Sequence, residues 1–284
     1  MELRIAERKQ AKIKLGLQGP SGSGKTYSAL LLAFGLCNDW SKIAVIDTEN
    51  HSADLYAHLG RYNVLSLSEP FTPENYIKAI DACEKAMMQV IILDSISQEW
   101  EGSGGIIETH SKMAGNSFTN WNVITPRHNA FVQKILQSSC HILATIRTKQ
   151  DYVLSEKNGK YVPEKVGLKG VTRDGMDYEF TIVLDIDMKH QVKASKDRTG
   201  LFLDEIPFVI KPETGKKILD WCLMGHSLEN AKKELSEAKD IPALREVLKK
   251  YPEYRKELDP LALQWKKAIE SVEAFNAVSD LGLK

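Results

Sequence analysis

The sequence predicts an α/β fold built on a mainly parallel sheet, and three observations lead there. Short β-branched runs alternate with helical stretches through the first two-thirds of the chain, which is the pattern of βαβ units. One strand-to-helix junction carries a glycine-rich loop of the kind that cradles phosphate. From about Ser227 onward the pattern turns wholly helical, which predicts a C-terminal helical region.

Taken in order, the candidate strands are 12–18, 42–47, 63–67, 90–94 and 141–146, with helical patterns near 25–37, 73–88 and 117–138. After Arg147 the character changes. Tyr152–Ser155 and Lys160–Pro163 flank an Asn158-Gly159 pair, a strong hairpin signal because both central positions of that turn favour positive φ. Two further strands, 180–187 and 191–195, predict an antiparallel extension of the same sheet. Beyond them Pro242, Pro252 and Pro260 punctuate helical runs such as SLENAKKELSEAKD and ALREVLKK. The domain reading is therefore 1–226 for the α/β part and 227–284 for the helical part. The latter holds eleven basic and eleven acidic residues, a balance that suits a solvated helical hairpin or a partner-docking module better than a DNA-binding one.

Composition bounds the function. In 284 residues, 38 basic side chains balance 38 acidic ones, so the chain lacks the overall positive charge of a DNA-packaging protein, and any nucleic-acid surface is local. With 43% hydrophobic and 27% charged residues it is not a disordered or collagenous chain. The most apolar stretch, 29–37, is far shorter than the roughly 20 residues a membrane helix needs. The opening MELRIAERKQ has no apolar core of a secretory signal, so the expected location is the cytoplasm. Four scattered cysteines without a CxxC pair read as buried free thiols, and none sits at zinc-ligand spacing.

The strongest motif is Gly19-Pro20-Ser21-Gly22-Ser23-Gly24-Lys25-Thr26, a complete GxxxxGK[ST] between the strand IKLGLQ and the helix TYSALLLAFGL. Small residues let successive backbone N–H groups wrap a phosphate, and the following helix points its positive end at the same charge. Lys25 is expected on the β- and γ-phosphates and the Thr26 hydroxyl on Mg²⁺, which makes ATP and Mg²⁺ the expected ligands. The strand VIILD supplies a carboxylate, Asp94, for the Mg²⁺ side. A strand-ending aspartate is often only a helix cap; the phosphate loop in the same chain favours the metal reading. Glu49 follows the strand IAVID at the carboxyl edge of the sheet, where catalytic groups of such folds collect.

At this point the chain resembles a family. IDTENHSADLYAHLG looks like the segment after the second core strand of RecA-type recombinases, where a glutamate activates water and a tyrosine seven residues later packs on adenine. The resemblance implies that Glu49 is the catalytic glutamate and Tyr56 the base-stacking residue. Without it, Glu49 reads as a helix cap and Tyr56 as ordinary packing. A departure accompanies it: HILATIRTKQ carries Thr145, Arg147 and Lys149 where those enzymes place a γ-phosphate-sensing glutamine, and its own glutamine comes only at Gln150. The strand HQVKAS runs into Lys196-Asp197-Arg198, similar to the KxR of hexameric helicases and RadA-type ATPases that reaches a neighbouring subunit's γ-phosphate. That likeness implies a homo-oligomer with Lys196 and Arg198 acting in trans; the alternative is a solvated basic turn.

Residues 147–173 carry Arg147, Lys149, Lys157, Lys160, Lys165, Lys169 and Arg173 against three acids, with Tyr152 and Tyr161 interleaved. Basic residues, aromatics and glycines together suit a loop that follows a single-stranded backbone and stacks bases. The glycine- and asparagine-rich segment 100–128 is a second candidate loop, and each loop serves equally as a subunit contact. As a set, these motifs resemble phage and prophage RecA-core ATPases grouped as an AAA-type domain, over about residues 10–225. The resulting expectation is an oligomeric ATPase acting on single-stranded DNA in recombination or annealing. Its rivals are a nucleotide-switched partner-binding or assembly ATPase, using the helical region, and a P-loop small-molecule kinase.

Overall fold

The structure, a computed structural model of the chain, describes residues 11–157, 160–224 and 228–280, and at 151–157, 160–167, 253 and 272–280 the backbone alone. The chain divides into two compact units, one spanning 12–221 and one made of Ala11 with the residues from Cys222 on.

The larger unit opens with β1 (Lys14–Gly19), the phosphate loop and α1 (Lys25–Cys37), followed by β2 (Ile43–Asp47), β3 (Asn63–Ser66), α2 (Pro73–Lys85) and β4 (Val90–Asp94). Three helices come next, α3 (Ser97–Glu101), α4 (Ile106–Ser111) and α5 (Ser117–Gln137). They lead into β5 (His141–Lys157), β6 (Lys160–Gly170), a one-turn α6 (Met176–Glu179), β7 (Ile182–Ile186), β8 (Val192–Asp197) and α7 (Pro212–Leu223). The strand order is β3-β2-β4-β5-β1-β7-β8, with β6 paired to β5. All pairs from β3 to β7 are parallel, whereas β7–β8 and β5–β6 are antiparallel.

The central strands are buried along their whole length because helices cover both faces, as a parallel sheet requires. On one face α2 and α5 lay Tyr76, Ile80, Phe131 and Ile135 against Ile46, Ile91, Leu93, Ile142 and Ala144. The other face receives α1 through Ala29, Leu30, Leu32, Ala33 and Leu36. There α1 and α7 cross so closely that a methyl group at Gly35 would stand 2.0 Å from the Pro212 carbonyl oxygen and 2.7 Å from Gly215 Cα. Only glycines allow that approach, which fixes the helix that follows the phosphate loop.

Residues 141–147 of β5 lie between β4 and β1, and beyond them the same strand leaves the sheet to pair with β6. The expected hairpin is thus present as an extended ribbon whose backbone pairs run from Thr148 with Gly170 to Lys157 with Lys160. The Asn158-Gly159 turn lies outside the described residues.

One expectation is corrected. Segment 100–128 is not a long loop; it folds into the end of α3, α4 and the first half of α5. A tight turn at 102–105 places Gly104 at φ +74°, and its N–H reaches the Glu108 carboxylate at 2.5 Å. The Asn116 side chain caps α5 by accepting from the N–H of Phe118 at 2.8 Å.

The second unit contains α8 (Leu228–Glu237), α9 (Ile241–Lys250) and α10 (Arg255–Asp280). They close on a small apolar core of Ala231, Leu235, Leu244, Tyr251, Leu258 and Ala262. The Asp240 side chain caps α9 on the N–H of Ala243 at 2.7 Å. Among the described residues no helix is long and apolar enough to cross a membrane. Cys37, Cys83 and Cys140 are free thiols.

Candidate nucleotide site

The carboxyl ends of β1, β2, β4 and β5 open into one cavity of about 740 Å³, a volume that suits a nucleotide. Its floor is the phosphate loop. Gly22 and Gly24 adopt φ +80° and +88°, the left-handed region that favours glycine at both positions. Gly24 then serves as N-cap of α1, so the helix dipole points into the same space. Lys25 curls over the loop and donates from Nζ to the carbonyl oxygens of Gly19 and Pro20, each at 2.9 Å. Burial lowers its pKa, an effect opposed by the nearby carboxylates of Asp94 and Glu49.

Thr26 and Asp94 meet at the cavity wall, the threonine hydroxyl donating to Asp94 Oδ2 at 2.6 Å. The other carboxylate oxygen, Oδ1, accepts from Thr145 at 2.5 Å, which leaves the Oδ2 side facing the phosphate loop. Asp94 is 1% exposed, and burial raises its pKa against the pull of those two hydroxyls. The donor set is all oxygen, and among the described residues no group of three His, Cys, Asp or Glu could hold an ion alone. A hydroxyl and one carboxylate, completed by phosphate oxygens and water, fit Mg²⁺, the ion that keeps its waters.

Glu49 reaches the cavity from the turn after β2. Asp47 builds that turn by accepting from the N–H of Glu49 at 2.6 Å and of Ala53 at 3.1 Å. Thr48 stitches β2 to β4, donating to the Asp94 carbonyl at 3.1 Å and accepting from the Ser95 N–H at 2.9 Å. Glu49 and Asp94 are therefore held in fixed register. The Glu49 carboxylate is paired with Arg147 at 2.9 Å, and that hydrogen bond raises the arginine's already high pKa.

The opposite end of the cavity is apolar. Tyr56 lines it from the 3-10 turn Ser52–Leu59, with its ring centroid 5.8 Å from that of Tyr27, together with Leu55, Val209 and Ile210. Sequence reasoning named Tyr56 but neither Val209 nor Ile210, which lie 153 and 154 residues further along the chain with no motif around them. It also missed His190, whose ring packs behind the loop beside Gly24. The only local signal is a turn-forming Asp187 three residues earlier.

Lys196 and Arg198 do not line this cavity. Lys196 donates to the carbonyl oxygens of Asp177, at 2.9 Å, and Tyr178, and Arg198 donates to that of Tyr178 at 3.0 Å. Both cations therefore lie on one side of the chain, as strand alternation predicts, at the end of α6.

The seven basic residues assigned to a nucleic-acid surface separate. Arg147 belongs to the nucleotide cavity. Lys149, Lys169 and Arg173 line a second recess of about 440 Å³ together with Trp100 and Trp121. The two indoles stack at 6.1 Å, and His110 stacks on Trp121 at 4.2 Å. Lys149 lies 3.7 Å from Glu101 and Lys169 2.6 Å from Asp174. The side chains of Lys157, Lys160 and Lys165 lie outside the described residues.

A phosphate loop between a central strand and its helix, a threonine–aspartate pair beside it and a glutamate across the cavity define a P-loop nucleotide-binding ATPase. A family model described as "AAA domain" matches residues 11–218, and the chain belongs to that family. Among curated proteins no relative matches.

Proposed function

We propose that this protein hydrolyses ATP with Mg²⁺ as an oligomer, in the cytoplasm, and couples turnover to single-stranded DNA in recombination or annealing, in the manner of the phage RecA-core ATPases it resembles. The observation that carries the DNA part is the recess of Trp100 and Trp121 beside Lys149, Lys169 and Arg173. Indole faces receive bases of any sequence and cations follow the backbone, which is the chemistry of single-strand binding.

In the nucleotide site, the loop N–H groups and Lys25 hold the β- and γ-phosphates. Thr26 and Asp94 would hold Mg²⁺, which would supply charge neutralisation at the phosphate oxygens. Glu49 accepts a proton from the attacking water. The oxygen of that water bonds to the γ-phosphorus, and the bond to the β–γ bridging oxygen breaks to release ADP and phosphate. Tyr56, Val209 and Ile210 enclose the adenine. Because Lys196 and Arg198 are absent from the lining of their own chain's cavity, a role on a neighbouring subunit's γ-phosphate is the reading that gives them chemistry. The compact helical unit with its own core supports a second reading, a nucleotide-switched ATPase that docks a partner there.

ATP hydrolysis measured with and without single-stranded DNA, across a salt series, on protein sized in the same buffer, separates the two. Stimulation that fades with salt, from an oligomer, supports the DNA-coupled reading. Unstimulated turnover removes it and leaves the partner-docking one.

A further inference from the structure

We infer that Arg147 is a partner-exchanging residue: it holds Glu49 when the cavity lacks a γ-phosphate and moves to that phosphate when ATP binds, freeing Glu49 to take the proton from water. The inference rests on the nucleotide half of the proposed function and is independent of the DNA half.

The geometry of the pair points to exchange. Arg147 places Nε and Nη2 on the same carboxylate oxygen, Glu49 Oε1, each at 2.9 Å. A guanidinium paired at full strength gives one nitrogen to each oxygen in a two-pronged fork. This pair forgoes that second prong. It is also half in water, with the arginine side chain 41% exposed and the glutamate 28%, so solvent weakens it further. A γ-phosphate offers three oxygens and more charge, and the planar five-donor guanidinium is suited to it.

The backbone beneath the side chain does not need to move. The Arg147 N–H donates to Ser97 Oγ at 2.9 Å, and its carbonyl accepts from the Val171 N–H at 2.7 Å. The residue is pinned at the end of the sheet from both sides while its side chain reaches into the cavity. That cavity holds Lys25, Glu49 and Asp94 as well, and the charges of Glu49, Asp94 and Arg147 all bear on Lys25. A side-chain swing is therefore enough to change partner.

The position also explains a chemical problem. With Nε and Nη2 both 2.9 Å from Oε1, the guanidinium occupies the oxygen that an attacking water would have to approach. Without exchange, Arg147 would keep the proposed base from its task. With exchange, the base becomes competent only when a triphosphate is in place, and a diphosphate leaves the pair intact.

Binding without turnover tests this. Affinities for ADP and for a non-hydrolysable ATP analogue, with Mg²⁺, are measured by calorimetry for the wild type, Arg147→Ala, Glu49→Gln and the double variant. Arg147→Ala is expected to weaken analogue binding about tenfold or more and to change ADP binding less than twofold. Glu49→Gln, by releasing the arginine, is expected to tighten the analogue about threefold or more. In the double variant that gain disappears, because no arginine remains to be released. An equal gain from Glu49→Gln with and without Arg147 would mean simple removal of negative charge and would overturn the exchange. So would an unchanged ratio of analogue to ADP affinity in Arg147→Ala. Arg147→Lys, which keeps the charge without the fork, is expected to fall between wild type and Arg147→Ala. If Lys25→Ala binds nucleotide as well as the wild type, the nucleotide site itself is wrongly assigned, which is a different failure.

Discussion

The ring of His190 and the carbonyl oxygen of Ser23 lie 2.9 Å apart through Nδ1, tying the β7–β8 turn to the phosphate loop across 167 residues of sequence. A carbonyl only accepts, so Nδ1 carries the proton. The bond holds the peptide between Ser23 and Gly24 in the phosphate loop. His190→Ala removes a bond of about 1 kcal/mol and is expected to weaken ATP and ADP equally, by about fivefold, in a titration. Unequal effects on the two nucleotides would mean that His190 meets the γ-phosphate itself.

Glu49→Gln keeps the shape of the side chain and removes its proton-accepting charge. Nucleotide binding is expected to persist while single-turnover hydrolysis falls by about 100-fold or more, the contribution of a positioned base. Lys25→Ala loses the cation that bridges the phosphates, and no nucleotide binding is expected at micromolar concentrations. Normal hydrolysis by Glu49→Gln would remove this residue from the chemistry.

Trp121 stacks between Trp100 and His110 at the second recess. Trp121→Ala is expected to weaken single-stranded DNA binding by about fivefold to 150-fold, from about 1–3 kcal/mol of stacking, with ATP affinity unchanged. Lys169→Ala instead lowers the slope of affinity against salt by about one contact. Fluorescence anisotropy over a salt series reads both, and unchanged DNA binding in both variants would exclude the recess.

Gly35→Ala tests the crossing of α1 with α7. In a free helix this change helps by about 1 kcal/mol. Here the new methyl meets backbone atoms of Pro212 and Gly215 at 2.0 and 2.7 Å, and backbone yields little. Calorimetry is expected to show a melting temperature lower by about 5 °C or more. A rise would show that the helices do not approach this closely.

His141 gives the fold an acid limb. Its ring is buried, Nδ1 accepts from the Ile13 N–H at 3.1 Å, and burial with the nearby charges of Lys12 and Lys14 pushes its pKa down to about 3. The unfolded chain takes up that proton near pH 6.5, and the folded one refuses it until about pH 3. Stability is therefore complete above about pH 6.5 and is lost as pH falls toward 3, at up to roughly 1.4 kcal/mol per pH unit. His141→Asn, which keeps an acceptor and does not titrate, is expected to flatten urea-unfolding stability over that window. Parallel curves for the two proteins would contradict the assignment.

What could be read from the sequence divides along a physical line. Apolar runs covered on both faces announce themselves, so the core strands and their helices were legible. The phosphate loop, Asp94 and Glu49 were legible because each sits at the end of such a run. Arg147 was grouped with the basic ribbon because one strand carries both, and nothing in its residues marks where the sheet stops. His190, Val209 and Ile210 approach the site from turns and late segments whose position is a matter of tertiary packing. Trp100 and Trp121 stand 21 residues apart on different helices, and only the fold of 100–128 brings them together.

The 17 residues of β5 run unbroken from the middle of the sheet into the ribbon. The β5–β6 pairing already shifts between Asp151, opposite Gly167, and Tyr152, opposite Lys165, so the ribbon absorbs one unmatched residue on β6. A one-residue change in the ribbon's length can thus be taken up by a bulge of the same kind, away from the strands that carry the phosphate loop. The ribbon's outer portion, whose backbone pairs run between β5 and β6, is in this sense an exchangeable cartridge that can be shortened or replaced without disturbing the strands that carry the phosphate loop.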